Sequence, residues 1–341
     1  MQKKILVVDD SAVIRRYLIK LFEEAGYSVE FAKNGEDALE KLSSRHFSLV
    51  TLDIEMPTLD GMETLKEIMK RKPTRVIMLS SYVKDSAGKT TEALEIGALD
   101  CIYKPKNSLE IAKISDEILS KVKSALLSVP HFLKQKREPF KVDSTSVKTD
   151  IEMKFVLIGS STGGPRLIEK ICRTLPKNYP HAVCVVQHMP TDFTANFAKR
   201  LNSISEIEVL EAENGVELKA GRVIIAKGGK HLHFRKKLKT FSITLVSNVR
   251  ERFFVPSIDE MFLSASETLP CQNILAIELT GIGDDGADEM VELRRKGAQT
   301  IAESEKSAVV YGMPKEAFLR GGAKVVLDFN EILDEVIKYG K

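Results

Sequence analysis

Short apolar runs alternate with amphipathic stretches along most of the chain. In the first third the runs are residues 5–8, 28–31, 48–52, 76–79 and 98–103, the second of them weaker. Each has the length of a strand buried on both faces. The gaps carry a helical period, as in Val13, Leu18, Leu21 and Phe22, or Ile111, Ile114, Ile118 and Val122. Gly26 and Gly97 fall where such helices should stop. Alternating β and α units predict a parallel sheet covered by helices on both faces. The pattern fails from about residue 124 to 151, where Pro130, Pro139, a charged cluster at 134–138 and a Ser/Thr-rich stretch make a polar linker. Phe132, Leu133 and Phe140 interrupt that linker, either by chance or as points that dock on a domain face. From Met153 the alternation resumes, with apolar runs at 155–158, 182–186, 223–226, 243–246, 274–279, 300–302 and 324–327. Gly228-Gly229 and the basic turn at 236–239 predict an added hairpin. The expectation is a class α/β chain of two doubly wound parallel-sheet domains, 1–124 and 153–341, joined by a linker at 125–152.

Composition agrees with that count. The chain has 341 residues, 43% of them apolar and 29% charged, enough for two cores. Net charge is +3, from 51 basic and 48 acidic side chains. That balance argues against nucleic acid as an obligate partner, which would demand a basic excess. Cys101, Cys172, Cys184 and Cys271 form no C-x-x-C pair and are too sparse for a disulfide framework. The N-terminal residues lack the apolar and small-residue pattern of a signal peptide. No apolar stretch approaches the ~18 residues of a membrane span. A cytoplasmic protein without membrane insertion is expected.

The ends of the predicted strands carry the candidate chemistry, because ligands of open parallel sheets sit at the carboxyl edge. The first run ends in Asp9-Asp10, the third in Asp53, the fourth in Ser80-Ser81 and the fifth in Lys104-Pro105. Converging carboxylates repel unless a cation compensates, and an oxygen-rich cluster suits Mg²⁺. Taken singly, each residue also has a plain role. An Asp or Ser after a strand often caps a helix, and either Asp10 or Ser11 would cap the first one. The combination resembles the receiver domain of two-component response regulators, a flavodoxin-like fold. Asp9, Asp10, Asp53, Ser80 and Lys104-Pro105 match its acidic pair, phosphoacceptor, switch hydroxyl and lysine-proline. Met56-Pro57 and Asp60-Gly61 match the loop after the acceptor. The resemblance implies that Asp53 takes a phosphoryl group from a chemotaxis histidine kinase. It also implies Mg²⁺ held by Asp10 and Asp53, with Asp9 in the same acidic pocket. Cys101 stands where the family usually has its aromatic switch residue, three positions before Lys104.

In the second domain the run 155–158 leads into Gly159-Ser160-Ser161-Thr162-Gly163-Gly164-Pro165. Gly159-x-Ser161-x-Gly163 fits a nucleophile elbow, which presents a serine at a strand-to-helix turn beside a helix N-terminus. A small-residue helix cap without chemistry is the other reading. The Walker A lysine is missing and the glycine spacing does not fit a dinucleotide fingerprint. A serine nucleophile needs a base. His46 and His131 lie outside this domain, His181 precedes a strand, and His231 and His233 read as surface residues of the hairpin. His188 remains, at the same sheet edge as Ser161. The acid that orients it lies in the loop after residue 279, and the residues alone leave Asp284 and Asp285 both open, each also a candidate turn or helix-cap residue. The order Ser, His, Asp disfavours an α/β-hydrolase, which runs Ser, Asp/Glu, His.

The second domain resembles the catalytic domain of chemotaxis protein-glutamate methylesterases, a Rossmann-like α/β hydrolase domain. The matching segments are the serine loop, Gln187-His188-Met189-Pro190, Pro256-Ser257-Ile258-Asp259, Leu279 through Gly286, and Tyr311-Gly312-Met313-Pro314. The resemblance implies Ser161 as nucleophile, His188 as base and Asp285 as orienting acid, with Thr162 and Ile282 as oxyanion or site-shaping groups. It implies demethylation of glutamate methyl esters, and deamidation of glutamines, on the cytoplasmic helices of methyl-accepting chemoreceptors. No cofactor is expected in this half, and a monomer is expected overall. It further implies a phosphorylation-regulated hydrolase, with the phosphorylated receiver relieving inhibition of the esterase. Phe253-Phe254-Val255 depart from the family, where basic residues often precede Pro256-Ser257. Ile282 and Asp284 stand where Met and Asn are frequent. A DNA-binding response regulator would need a basic helical output domain, and a receptor-binding adaptor would leave Ser161 inert.

Overall fold

The computed structural model describes residues 3–81, 86–104, 108–128, 153–191, 193–238 and 240–339. The chain divides into two units, Met1–Lys136 and Arg137–Lys341. Pro105 and the linker residues Phe132, Leu133 and Phe140 lie outside the described residues.

The first unit follows the alternation: β1 (Lys4–Val8), α1 (Ala12–Glu24), β2 (Ser28–Ala32), α2 (Gly35–Ser44), β3 (Leu49–Asp53), α3 (Gly61–Arg71), β4 (Val76–Ser80), α4 (Ser86–Ile96), β5 (Asp100–Tyr103) and α5 (Ser108–Leu127). All strand pairs are parallel, in the order β2-β1-β3-β4-β5. Every residue of β3 and β4 is buried, which is why these strands read as unbroken apolar runs. Ser11, Asn34 and Asp60 cap α1, α2 and α3 by accepting a backbone N–H of the first turn. Asp10 is therefore left free of the capping role, and Gly26, at φ +85°, ends α1 in the left-handed region. Helix α5 runs to Leu127, three residues past the boundary read from the sequence, because Val122, Ala125 and Leu126 are still buried.

The second unit is larger. Its sheet has seven strands in the order β14-β13-β12-β6-β7-β9-β8. They are β6 (Phe155–Ser160), β7 (Ala182–Gln187), β8 (Glu208–Glu211), β9 (Arg222–Ile225), β12 (Ile274–Glu278), β13 (Gln299–Glu303) and β14 (Val325–Leu327). All pairs are parallel. The expected hairpin is β10 (His231–Lys236) against β11 (Phe241–Val246). Strand β8 has no counterpart in the sequence reading, since its four residues are half polar and only Val209 is buried. The helices are α6 (Gly164–Thr174), α7 (Phe193–Ile204), α8 (Ile258–Thr268), α9 (Ala287–Arg295), α10 (Met313–Leu319) and α11 (Phe329–Tyr339).

Strand β6 pairs with β7 on one side and β12 on the other. The chain winds outward in both directions from β6, so the crevice at its carboxyl end is the topological switch point. The core beneath joins Phe155 and Leu157 to Ile258, Met261 and Phe262 of α8 and to Leu232, Phe234 and Ile243 of the hairpin. The hairpin thus clamps α8, whose first turn faces that crevice.

Candidate active site

In the first unit the carboxyl ends of β1 and β3 bring Asp9, Asp10 and Asp53 together, with one ligand oxygen from each within 4.8 Å of the others. Asp9 and Asp53 are buried and Asp10 is exposed. Lys104 Nζ lies 2.9 Å from Asp9 Oδ2 and 2.6 Å from Asp53 Oδ2. Ser11 N–H donates to Asp9 Oδ1 at 2.9 Å, and Glu55 N–H to Asp53 Oδ1 at 3.1 Å. Burial, reinforced by Asp9, pushes the Asp53 carboxyl up to about 6 against the pull of Lys104. Burial would lower Lys104, but the two carboxylates hold it above its ordinary value. Three carboxylates with one exposed member form a hard oxygen donor set that fits a divalent cation such as Mg²⁺. Ser80, the last residue of β4, is buried, with its hydroxyl donating to the Ser81 carbonyl at 3.3 Å. Cys101 is also buried, its thiol toward the Thr90 carbonyl at 3.9 Å.

In the second unit Ser161 follows β6 directly, at the switch point. The turn requires glycine. Gly163 adopts φ +83° before α6 begins, and a Cβ on Gly164 would collide with the Gln187 amide oxygen. Gln187 ties the loop down: its amide accepts from Ser160 Oγ at 2.7 Å and donates to the Ser161 carbonyl at 2.8 Å. Ser161 N–H donates to the Thr280 carbonyl at 2.9 Å. From the other side, a Cβ on Gly281 would lie 2.8 Å from Ser161 Cβ, so only glycine lets the β12 loop approach the serine this closely.

His188 follows β7, and its N–H donates to the Ser160 carbonyl at 2.9 Å, which sets it beside Ser161 on the neighbouring strand. Its Nε2 is 2.8 Å from Asp285 Oδ2. Its Nδ1 is buried and has no hydrogen-bond partner. Asp285 is held in turn at the N-terminus of α8. Ser257 Oγ donates to its Oδ1 at 2.6 Å, Ile258 N–H to Oδ2 at 2.7 Å and Asp259 N–H to Oδ1 at 3.2 Å. Burial alone would raise this carboxyl, but His188, Ser257 and the Ile258 N–H outweigh it and hold it below the usual range. It is therefore an anion aimed at the imidazole, stabilised by a helix N-terminus.

Asp284 turns away from His188 and pairs with Arg320 at 2.5 Å. Neither aspartate caps α9, whose N-cap is Gly286 at φ +101°. Thr162 is buried, and its carbonyl accepts from Thr280 Oγ1 at 2.9 Å. Ile282 is half-buried, beside Gly312. Ser161 and His188 thus follow the ends of the paired strands β6 and β7, and Asp285, in the loop after the neighbouring β12, is joined to His188 by a hydrogen bond. The Ser161 and Gly164 N–H groups are engaged by the protein itself, so they are not oxyanion donors here.

Comparison with known proteins agrees at the level of the whole chain. Residues 156–336 match the family described as CheB methylesterase, and residues 5–115 match the response regulator receiver domain. A protein-glutamate methylesterase/protein-glutamine glutaminase of Carboxydothermus hydrogenoformans is 41% identical over 98% of each chain.

The chain belongs to the protein-glutamate methylesterase/protein-glutamine glutaminase family.

A second methylesterase/glutaminase, from Caldanaerobacter subterraneus, is 42% identical over 99% of this chain and 97% of its own. The crystal structure of the Thermotoga maritima CheB methylesterase catalytic domain aligns with 55% of this chain and 99% of its own, at 39% identity and a TM-score of 0.53. The chain is a hydrolase of this family that carries a response-regulator receiver domain.

Several residues around this methylesterase site carried no signal that the sequence reading used. His231, read there as a surface residue of the hairpin, is buried; it accepts from Ser257 N–H at 3.1 Å and donates to Asn248 at 3.0 Å. His233 is 3.0 Å from Glu260 of α8, so it too serves the packing of the hairpin on α8. Gln187, adjacent to His188, was legible as a neighbour but not as the clamp on the serine loop. Phe254 stacks on the His188 ring, with centroids 3.9 Å apart and planes at 13°. Glu278 is fully buried, with neither oxygen hydrogen-bonded and its carboxyl pushed well up by burial. A Cβ on Gly286 would strike it, so it packs directly against the loop that carries Asp285.

No helix among the described residues is long and apolar enough to cross a membrane.

Proposed function

We propose that Ser161, His188 and Asp285 form one catalytic triad serving both reactions of this family, ester hydrolysis and glutamine deamidation. The observation that carries the reading is the ordering of His188: Nε2 is committed to Asp285, leaving the buried, unpartnered Nδ1 for the neighbouring serine. Ser161 Oγ attacks the γ-carbonyl of a methylated glutamate while His188 takes its proton. Asp285 stabilises the imidazolium without itself being protonated. The proton passes to the leaving methoxide, and methanol departs. Water then adds to the acyl-serine, with His188 again as base, and frees the glutamate carboxylate. A glutamine follows the same path and releases ammonia. Thr162 and the backbone near Ile282 are the proposed oxyanion or site-shaping groups.

The substrates are proposed to be the cytoplasmic helices of methyl-accepting chemoreceptors, with the enzyme acting as a monomer in the cytoplasm. In the receiver, Asp53 is the proposed phosphoacceptor for a chemotaxis histidine kinase, and Ser80 and Lys104 are the groups that respond. Asp10 and Asp53, with Asp9, would hold Mg²⁺, which would neutralise charge on the incoming phosphoryl group. Lys104, already between Asp9 and Asp53, supplies a second positive charge at the same oxygens. The proposed division is a receiver that ends with α5 at Leu127 rather than at 124, a linker from there to 152 and an esterase at 153–341.

The test is to follow methanol from methylated receptors and ammonia from unprocessed receptor glutamines with wild type and His188→Gln. One triad predicts that both products are lost together. Loss of one with survival of the other would refute the single-site reading.

A further inference from the structure

The loop after β11 carries Phe253 and Phe254, and two arginines fasten it to α8. Arg250 contacts both Glu260 oxygens at 3.1 Å, and Arg252 Nε donates to Glu260 Oε1 at 3.0 Å. Asn248 bridges the loop on itself, accepting from Arg252 N–H and donating to the Arg252 carbonyl, both at 2.8 Å. His231 ties Asn248 to Ser257, and Ser257 in turn holds Asp285. One hydrogen-bonded frame thus fixes the acid of the proposed triad and the loop bearing Phe254.

Phe254 lies nearly parallel to His188, with centroids 3.9 Å apart. Phe253 meets Phe254 edge-on at 4.8 Å and 87° and is itself 60% exposed. Near-parallel stacking at this distance is already an acceptable contact between neutral aromatic rings. It strengthens when the stacked ring is a cation, because the negative face of the phenyl group then attracts it. His188 is that cation once it has taken the serine proton. A contact that strengthens on going to the transition state accelerates the chemical step rather than tightening substrate binding. The stack also fixes the imidazole plane, and with Nε2 pinned to Asp285 the direction of Nδ1 is set.

We propose that Phe254 is a positioning residue of the esterase, orienting His188 and stabilising its imidazolium through its ring face. The proposal rests on the triad reading above and adds a residue to it.

The experiment measures kcat and KM for methanol release from methylated receptor membranes by full-length wild type, Phe254→Leu, Phe254→Tyr and Ser161→Ala. Leucine keeps the apolar bulk and removes the ring face; tyrosine keeps the face. The expected result is a fall in kcat of about 5- to 30-fold for Phe254→Leu with little change in KM, and recovery to within about threefold of wild type for Phe254→Tyr. Phe254→Met, a second non-aromatic side chain of similar volume, replaces leucine if the leucine variant melts early. Wild-type kcat in the non-aromatic variant, a loss confined to KM, or failure of tyrosine to recover activity would overturn the proposal. Survival of activity in Ser161→Ala would instead remove the triad beneath it.

Discussion

His188 Nε2 and Asp285 Oδ2 stand 2.8 Å apart, and the same Asp285 oxygen accepts the Ile258 N–H of α8 at 2.7 Å. The carboxylate therefore has two jobs, orienting an imidazole and satisfying the start of a helix.

Those two jobs separate in their consequences. Asp285→Asn should keep the overall fold but favour the wrong imidazole tautomer, lowering kcat by about 10²–10⁴ with a smaller change in KM. It should also lower stability by about 1–2 kcal/mol, since an amide cannot accept from Ser257, Ile258 and Asp259 as the carboxylate does. Steady-state kinetics and thermal melting on one preparation check both halves. Asp284→Asn, which weakens only the pairing with Arg320, should leave kcat near wild type.

Glu303 gives the esterase half a pH-dependent stability. Burial pushes its carboxyl from 4.5 up to about 7, against the Ser307 hydroxyl and the Thr280 N–H that donate to it. In the unfolded chain the group ionises near 4.5, so between the two values the folded state binds the extra proton. Its contribution is fully present below about pH 4.5 and is lost as pH rises through about 7. The loss is at most about 3 kcal/mol, or up to about 10 °C in melting temperature. Glu303→Gln should flatten that fall. Calorimetry of the full chain at pH 5 and pH 8 would count against this account if wild type and variant lost the same number of degrees.

The receiver makes a separable prediction. Asp53→Asn should leave basal methanol release intact and abolish its stimulation by a small-molecule phosphodonor with Mg²⁺. Removing divalent cations with a chelator should abolish stimulation of the wild type in the same way. Stimulation that persists in Asp53→Asn would assign the phosphoryl group elsewhere.

The strand ends were legible in advance because buried parallel strands are written as unbroken apolar runs, and the residue after each run is forced to the carboxyl edge. That logic reached Asp9, Asp53, Lys104, Ser161 and His188 one by one. It could not separate Asp284 from Asp285, because both sit in one glycine-rich loop. What distinguishes them is the N-terminus of α8, contributed by residues nearly thirty positions earlier. Phe254 and His231 were hidden for the same reason. Their roles come from the hairpin folding over α8, a tertiary contact with no local period. Strand β8 escaped because an edge strand with one buried residue has no apolar run to read.

The central claim is that Ser161 is the nucleophile of a methylesterase. Methanol release from methylated chemoreceptor membranes, compared between wild type and Ser161→Ala, tests it most directly. The account predicts that the substitution reduces release to the level of membranes without enzyme while melting temperature and phosphodonor-dependent phosphorylation are retained. Equal release by the two proteins would contradict it.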